Sequence, residues 1–224
     1  MSVFRKISFT MIMIAIVLSL TGCLNKQSPE EKMFVELEKV VSIEKTFEDQ
    51  QNPLVELETK EKEIYEKIIS LGMKEYDQIV KLADEALANA DKRVEHIDKE
   101  KESIEESRKE FRNIDKILEE IEDNGVKQQA NELRTTMIKR YEIHDDLYKN
   151  YKLGLQYDKE LYEMLKDKEL SFENLEKQVN KVNGIYETVL KDNQEFNDQT
   201  DQYNKEKLAF YEKAGIEFSP EKKE

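Results

Sequence analysis

The chain has 224 residues, a formal charge of −14, 38% charged residues, one cysteine, three prolines, six glycines and no tryptophan. That acidity excludes direct electrostatic binding of nucleic acid and other polyanions, because lysines are interleaved with glutamates and form no basic patch. The lone cysteine excludes an internal disulfide. So few helix breakers among so many Glu, Lys, Leu and Ile residues point to long helices rather than a β-rich or disordered chain.

The first 23 residues have the three-part layout of an export signal. Arg5 and Lys6 give the positive start, Ile7 to Leu18 is almost wholly apolar, and small residues lead to a cut. The apolar run is short of the roughly 20 residues that span a bilayer comfortably. Leu20-Thr21-Gly22-Cys23 resembles the lipobox of bacterial lipoproteins. The resemblance implies that the Cys23 thiol carries a diacylglyceryl group of the palmitate type and that cleavage falls before it. Two acyl chains would anchor a protein stably. An ordinary signal peptide with a chance cysteine, or an uncleaved helix, is the competing reading. Residues 1–22 are therefore expected as a lipoprotein signal peptide and 23–28 as a lipidated tether. Losing Arg5 and Lys6 with the leader takes the formal charge to −16.

Ser28-Pro29-Glu30-Glu31 reads as a helix start: Ser as N-cap, Pro at the first helical position, and Glu three residues after the Ser. Met33, Leu37, Val40, Phe47 and Leu54 follow at helical spacing, with Glu44 and Gln51 in the same stripe. Asn52-Pro53 predicts a kink or break. The stripe resumes at Leu57, Ile64, Ile68 and Leu71, and Gly72 is the predicted stop, which gives a helix over 29–71.

The second helix, 73–123, places Tyr76, Ala83, Ala90, Ile97, Ile104, Phe111 and Leu118 every seven residues. Val80, Leu87 and Val94 take the alternate seam, continued by Lys101, Arg108 and Asp115. The third, 126–169, carries Ala130, Leu133, Met137, Tyr141, Tyr148, Tyr151, Leu155, Tyr162 and Leu165, weakened locally by Gly154. The fourth, 172–214, follows Ser171 as N-cap and repeats Leu175, Val182, Val189, Phe196, Tyr203 and Phe210. Phe172, Val179 and Tyr186, then Asn193, Thr200, Lys207 and Ala214, take the alternate places. Gly215 closes it with Ile216 folded back on Tyr211, and 219–224 is a polar tail.

Four segments of similar length with very short links predict an all-α, elongated, antiparallel up-and-down four-helix bundle over 29–218 with coiled-coil-like packing. A shorter first helix plus one very long helix through Gly72 is the alternative. Aligned antiparallel, Gln51, Lys101, Tyr148 and Asn193 fall at one level, Glu44, Arg108, Tyr141 and Thr200 at the next, and Asp115 and Lys207 beyond. The half near the anchor is thus expected to be cut by polar layers, and the far half to be more uniformly apolar. These layers read as register control. A binding cleft walled by Glu44, Arg108, Asn193 and Tyr148 is the sharper alternative.

No catalytic motif appears. His96 and His144 stand alone on helices, with no HExxH and no neighbouring cysteine, so neither a metal nor an enzyme is expected, and His144 reads as a packed residue. Five of the ten tyrosines lie between Tyr141 and Tyr162. Of these, Tyr157 and Tyr162 are expected to be exposed and are the candidate contacts for a sugar or peptide.

Several local segments have a specificity that coiled-coil composition would not produce. They include Gln50-Gln51-Asn52-Pro53-Leu54, Glu63-Ile64-Tyr65, Ile68-Ile69-Ser70-Leu71-Gly72-Met73-Lys74-Glu75, Ala86-Leu87-Ala88-Asn89 and the closing Gly-Ile-Glu-Phe. With the lipobox and Pro29-Glu30-Glu31, they resemble the YkyA-like family of cell-wall-binding lipoproteins of Gram-positive bacteria. The resemblance implies a helical bundle on the extracytoplasmic face of the cell membrane, held by lipid on Cys23 and needing no other cofactor. It implies a non-enzymatic protein that binds peptidoglycan or another wall polymer, or spaces membrane from wall. A docking or adaptor subunit recruiting another envelope protein through a helix face is the alternative. Cys23 is the one site residue the resemblance carries over.

Overall fold

The computed structural model describes residues 27–71 and 75–217. The expected leader, the lipobox with Cys23, the stop at Gly72 and the 219–224 tail lie outside these. The described chain is a bundle of four antiparallel rods, built from α1 (Pro29–Ile43), α2 (Lys45–Ser70), α3 (Tyr76–Phe111), α4 (Ile114–Glu120), α5 (Asn124–Met164) and α6 (Phe172–Lys213). At 1.5 Å per residue, the 42 residues of α6 make a rod about 63 Å long. One end, here called proximal, holds the start of α1, the α4–α5 turn and the end of α6. The distal end holds the end of α2, the start of α3 and the α5–α6 turn.

The chain's own chemistry sets the ends. Ser28 and Glu31 form a reciprocal capping box with Pro29 in the first turn. The Asp123 carboxylate accepts from the N–H groups of Gly125 and Val126 at 2.8 Å each, so α5 starts slightly earlier than the predicted 126. Ser171 caps α6. Gly215 takes φ 68°, the left-handed conformation that glycine reaches without a Cβ clash, and the Ile216 N–H donates to the Tyr211 carbonyl at 3.0 Å.

Two breaks fall where the sequence does not advertise them. Pro53 lies inside an uninterrupted α2, so of the kink or break expected at Asn52-Pro53 the break does not occur. The Gln50 and Gln51 side-chain amides reach back to the Thr46 and Phe47 carbonyls in the preceding turn. The first rod breaks instead at Glu44 (φ −72°, ψ −2°), whose carboxylate turns into the core. Ser103 serves the exposed backbone there: its hydroxyl donates to the Ile43 carbonyl at 2.9 Å and accepts from the Phe47 N–H at 3.2 Å. The second rod tightens at Arg112–Asn113, where i→i+3 bonds run from Asn113 to Glu110 and from Asp115 to Arg112. The inward stripe keeps its seven-residue phase through this tightening, from Ser107 to Ile114 to Ile121. Ile114, Leu118 and Ile121 turn inward and Asp115 turns out.

The rods pair into two hairpins. The first and second approach most closely along α2–α3, the third and fourth along α5–α6, and α3 lies against α5. Buried Ala83, Ala86, Ala90, Ser103 and Ser107 on α3 let the first hairpin close. The main core is aromatic and aliphatic, with Phe34, Phe47, Phe111, Phe196, Phe210 and Tyr211 among its members. A smaller distal core gathers Ile64, Ile68, Ala83, Ala86 and Tyr162.

Two helix-interior glycines differ in what surrounds them. A Cβ on Gly184 would meet no atom within 4 Å, whereas one on Gly154 would lie 3.1 Å from Cζ of Tyr186, a ring held by hydrogen bonds on its hydroxyl. Gly184→Ala is expected to raise stability by about 1 kcal/mol through helix propensity. Gly154→Ala is expected to give no such gain. Urea denaturation of the two variants checks the difference.

Candidate functional site

Among the described residues, buried polar chemistry gathers in two nodes and exposed apolar surface gathers at one tip. In the proximal node, Arg140 of α5 donates Nη1 to Glu44 Oε1 at 2.9 Å and Nη2 to Oε2 at 2.8 Å, a two-pronged pair. Arg140 Nε donates to the Thr200 hydroxyl at 2.8 Å, and the guanidinium lies over the Phe196 ring at 4.6 Å. The Ser107 hydroxyl donates to Glu44 Oε1 at 2.6 Å and lies 2.7 Å from the Tyr141 hydroxyl. One cation meets one anion here. His144 packs beside this node, its ring 5.8 Å from Phe47 and 5.4 Å from Phe196. Burial first, and the Arg140 charge next, push its pKa down to about 3, so it stays neutral at ordinary pH.

The distal node is centred on Arg93 of α3. Its Nη1 donates to Glu61 of α2 and lies 3.4 Å from Asp158 Oδ2 of α5. Nε donates to the Tyr151 hydroxyl at 3.0 Å and Nη2 to the Tyr186 hydroxyl at 3.1 Å, while both rings also lie under the guanidinium. The Tyr186 hydroxyl donates to Asp158, and those of Tyr162 and Tyr151 donate to Glu61 at 3.3 Å and Glu58 at 2.7 Å. This corrects the expectation of a uniformly apolar far half: the far half contains the densest buried charge.

The predicted layer residues divide accordingly. Glu44 is buried at the predicted level beside Thr200 and Tyr141, but its cation is Arg140 rather than Arg108. Arg108 is half-buried and donates to the Tyr141 carbonyl and to Asp145, each at 2.8 Å. Lys101 is also half-buried and joins Glu105 and Asp145, with its amine over the Tyr148 ring. Asn193 is half-buried and accepts from Asn197. Lys207 is buried and pairs with Glu38 at 3.2 Å. Its expected level partner, Asp115, is exposed on the outside with Arg134 at 2.6 Å.

The nodes' principal members were hidden by a one-residue slip in the seam. The sequence periodicity of α3 points to Leu87, Val94, Lys101 and Arg108. The buried set is Ala86, Arg93, Glu100 and Ser107, one position earlier. On α5 the same slip hides Arg140 and Leu147 behind Tyr141 and Tyr148, while Asp158 continues the stripe through Met137, His144 and Tyr151. The earlier seam brings Glu61, Arg93 and Asp158 of three rods to one level.

Tyr162 corrects a second expectation. It is 2% exposed, because its hydroxyl has the Glu61 carboxylate to reach inside. Tyr157 is half-buried, with the Lys181 amine 5.7 Å above its ring. The exposed apolar groups lie elsewhere. At the distal tip Ile69 is 56% and Phe172 78% exposed, and Leu175, Val179 and Val182 of the following α6 turns are half-exposed. Lys168 covers Tyr76 there at 4.5 Å, and the Tyr76 hydroxyl donates to the Lys166 carbonyl.

Comparison with known proteins places relatives beside this geometry. Residues 28–213 match the family model YkyA, described as "Putative cell-wall binding lipoprotein". The Bacillus subtilis (strain 168) protein named "Uncharacterized lipoprotein YkyA" is 41% identical over 201 residues, which is 90% of each chain. Among solved structures, a conserved Staphylococcus aureus protein of unknown function superposes with a TM-score of 0.72 at 18% identity. The match covers 84% of this chain and 97% of that one, a likeness of fold alone.

Proposed function

The chain belongs to the YkyA lipoprotein family, and on that premise we propose that it is a non-enzymatic rod, tethered by lipid on Cys23 to the outer face of the cell membrane, whose distal tip contacts the cell wall. The observation that carries this reading is the polarity of the rod. The capped start of α1 follows Cys23 by a few residues, and Phe172, the most exposed large apolar side chain among the described residues, lies about 60 Å away at the opposite end of the rod. Five residues of tether reach at most about 17 Å, so the proximal end stays near the bilayer and the tip faces outward.

The tip suits a partly apolar ligand. An aromatic face can stack on a glycan ring or a peptide stem, and such contacts contribute about 0.5–1.5 kcal/mol beyond simple burial. The formal charge of the body repels anionic polymers, which favours peptidoglycan over charged wall polymers as the ligand. In this role the polar nodes hold the rods in register and keep the rod stiff rather than forming a cleft.

Retention of the full chain on purified wall sacculi tests this. The parent is expected to be retained at physiological salt, and more firmly as salt screens the mutual repulsion. Phe172→Ser is expected to weaken retention up to about tenfold, the equivalent of about 1.4 kcal/mol. A parent that washes off, or a Phe172→Ser variant retained like the parent, would contradict the assignment.

A further inference from the structure

The distal node holds more negative charge than one guanidinium can match. Glu61 and Asp158 converge on the same Arg93 nitrogen, and Glu58 lies 3.6 Å from the other. The groups facing Asp158 are Glu58 and Glu61 from α2, Arg93 from α3, Tyr151 and Tyr162 from α5, and Tyr186 from α6. Beyond them Glu100 of α3, which accepts from Gln51, adds another buried acid, and burial followed by the Glu58 charge raises its pKa well above the carboxylate range. Like charges crowded in a dry site cannot all ionise. Burial first, and Glu61 next, raise Asp158 to about 8 against the opposing pull of Arg93 and the Tyr186 hydroxyl.

Apolar contact between the hairpins is thin at this end. Of the buried residues in the distal core, Ile64, Ile68, Ala83 and Ala86 all belong to α2–α3, and Tyr162 alone comes from α5–α6. The first turns of α6 leave Leu175, Val179 and Val182 half-exposed and Phe172 almost free. Besides the polar node, the two hairpins meet distally where half-buried Leu165 packs on the distal core, the Tyr76 hydroxyl donates to the Lys166 carbonyl, and partly exposed Lys159 and Lys166 pair with Asp91 and Asp84. Proximally they share the aromatic core and the charge-balanced Glu44–Arg140 pair.

We propose that a proton held by Asp158 among the acids around Arg93 clasps the distal ends of the two hairpins together, and that its release to solvent lets α2–α3 part from α5–α6 distal to Arg93. With the proton in place, Asp158 meets Glu61 as a neutral acid. Without it, two neighbouring anions on different hairpins repel across a contact with little apolar burial. Parting would uncover the faces of Tyr151, Tyr162 and Tyr186.

The sign follows from linkage. The closed form keeps the proton up to about pH 8, whereas in the parted form Asp158 returns toward its ordinary value of 3.8. Between those limits parting releases a proton, so its equilibrium constant rises about tenfold per pH unit, and it levels off above the upper one.

Hydrogen exchange of the full chain in micelles, expressed as protection factors from about pH 5 to pH 9, reads this directly. Amides of 57–68, 79–90 and 158–189 are expected to lose about tenfold protection per unit up to about pH 8, with 33–47, 130–144 and 196–211 unchanged. Asp158→Asn replaces the O–H donor by an amide that does not titrate and is expected to flatten the distal profile at high protection. Glu61→Gln is expected to do the same. A flat distal profile in the parent, an equal slope in both halves, or a slope that persists in both variants would overturn the proposal. The parent alone decides the first two, so they stand even where a variant fails to fold.

Discussion

Replacing Cys23 by alanine will shift the full chain out of the membrane fraction, a change in distribution larger than any other single substitution should produce. Each acyl methylene buried in a bilayer contributes about 0.8 kcal/mol, and two chains together hold a protein almost permanently. Little else would hold this one. Among the described residues no helix is long and apolar enough to cross a membrane. The body carries a large negative formal charge and is repelled by anionic headgroups. The apolar run from Ile7 to Leu18 is short of the roughly 20 residues that a span requires. Cell fractionation with immunodetection gives the answer. Membrane retention of Cys23→Ala equal to that of the parent would remove the anchor from the account.

The second large effect concerns the core. Arg93→Met is expected to destabilise the bundle by about 3–5 kcal/mol in urea denaturation, the usual consequence of removing one partner from a buried ionic cluster. The guanidinium side chain is 3% exposed and serves two carboxylates and two phenols. Its loss strands Glu61 and Asp158 in a place with little water. Adding Glu61→Leu and Asp158→Leu to Arg93→Met is expected to recover most of the loss, since a cluster replaced by apolar groups of similar volume is often neutral or better. Arg108→Leu is the control. That side chain is 23% exposed and pairs with the more exposed Asp145, so a change within about 1 kcal/mol is expected. Equal small effects at Arg93 and Arg108 would show that the distal node contributes no more than a surface pair.

The contrast between these two arginines also shows what can be read from this sequence and what cannot. Seven-residue spacing from Ala83 to Phe111 and from Leu175 to Phe210 announced the rods, and the short links announced their antiparallel order. The caps at Ser28 and Ser171 and the closing Gly215-Ile216 were legible because each rests on contacts within a few residues. The choice of second seam on α3 was not. Leu87 and Val94 are the more apolar candidates, and single-helix periodicity favours them. Ala86, Arg93, Glu100 and Ser107 win because α2 approaches closely over the small residues and because Glu61 and Asp158 come from other rods to meet the arginine.

The breaks follow the same logic. Proline at 53 is a local signal, yet α2 runs through it. Glu44 gives no local signal, and the rod breaks there where a carboxylate is drawn to Arg140, nearly a hundred residues away in sequence. The expected exposure of Tyr162 failed for the same reason. Tyr162 has a buried acid to bond, which its own helix does not reveal, whereas Phe172 begins α6 with no neighbouring rod over it.

The most direct test of a lipid-held rod that reaches outward is a height measurement. The full lipidated chain would be seated on a supported bilayer, with labels at Asn124 in the proximal turn and at Ser171 in the distal turn. The Ser171 label is expected to stand about 60 Å farther from the bilayer than the Asn124 label, one α6 length. Equal heights would mean that the rod lies flat on the membrane, and would contradict an outward-reaching rod.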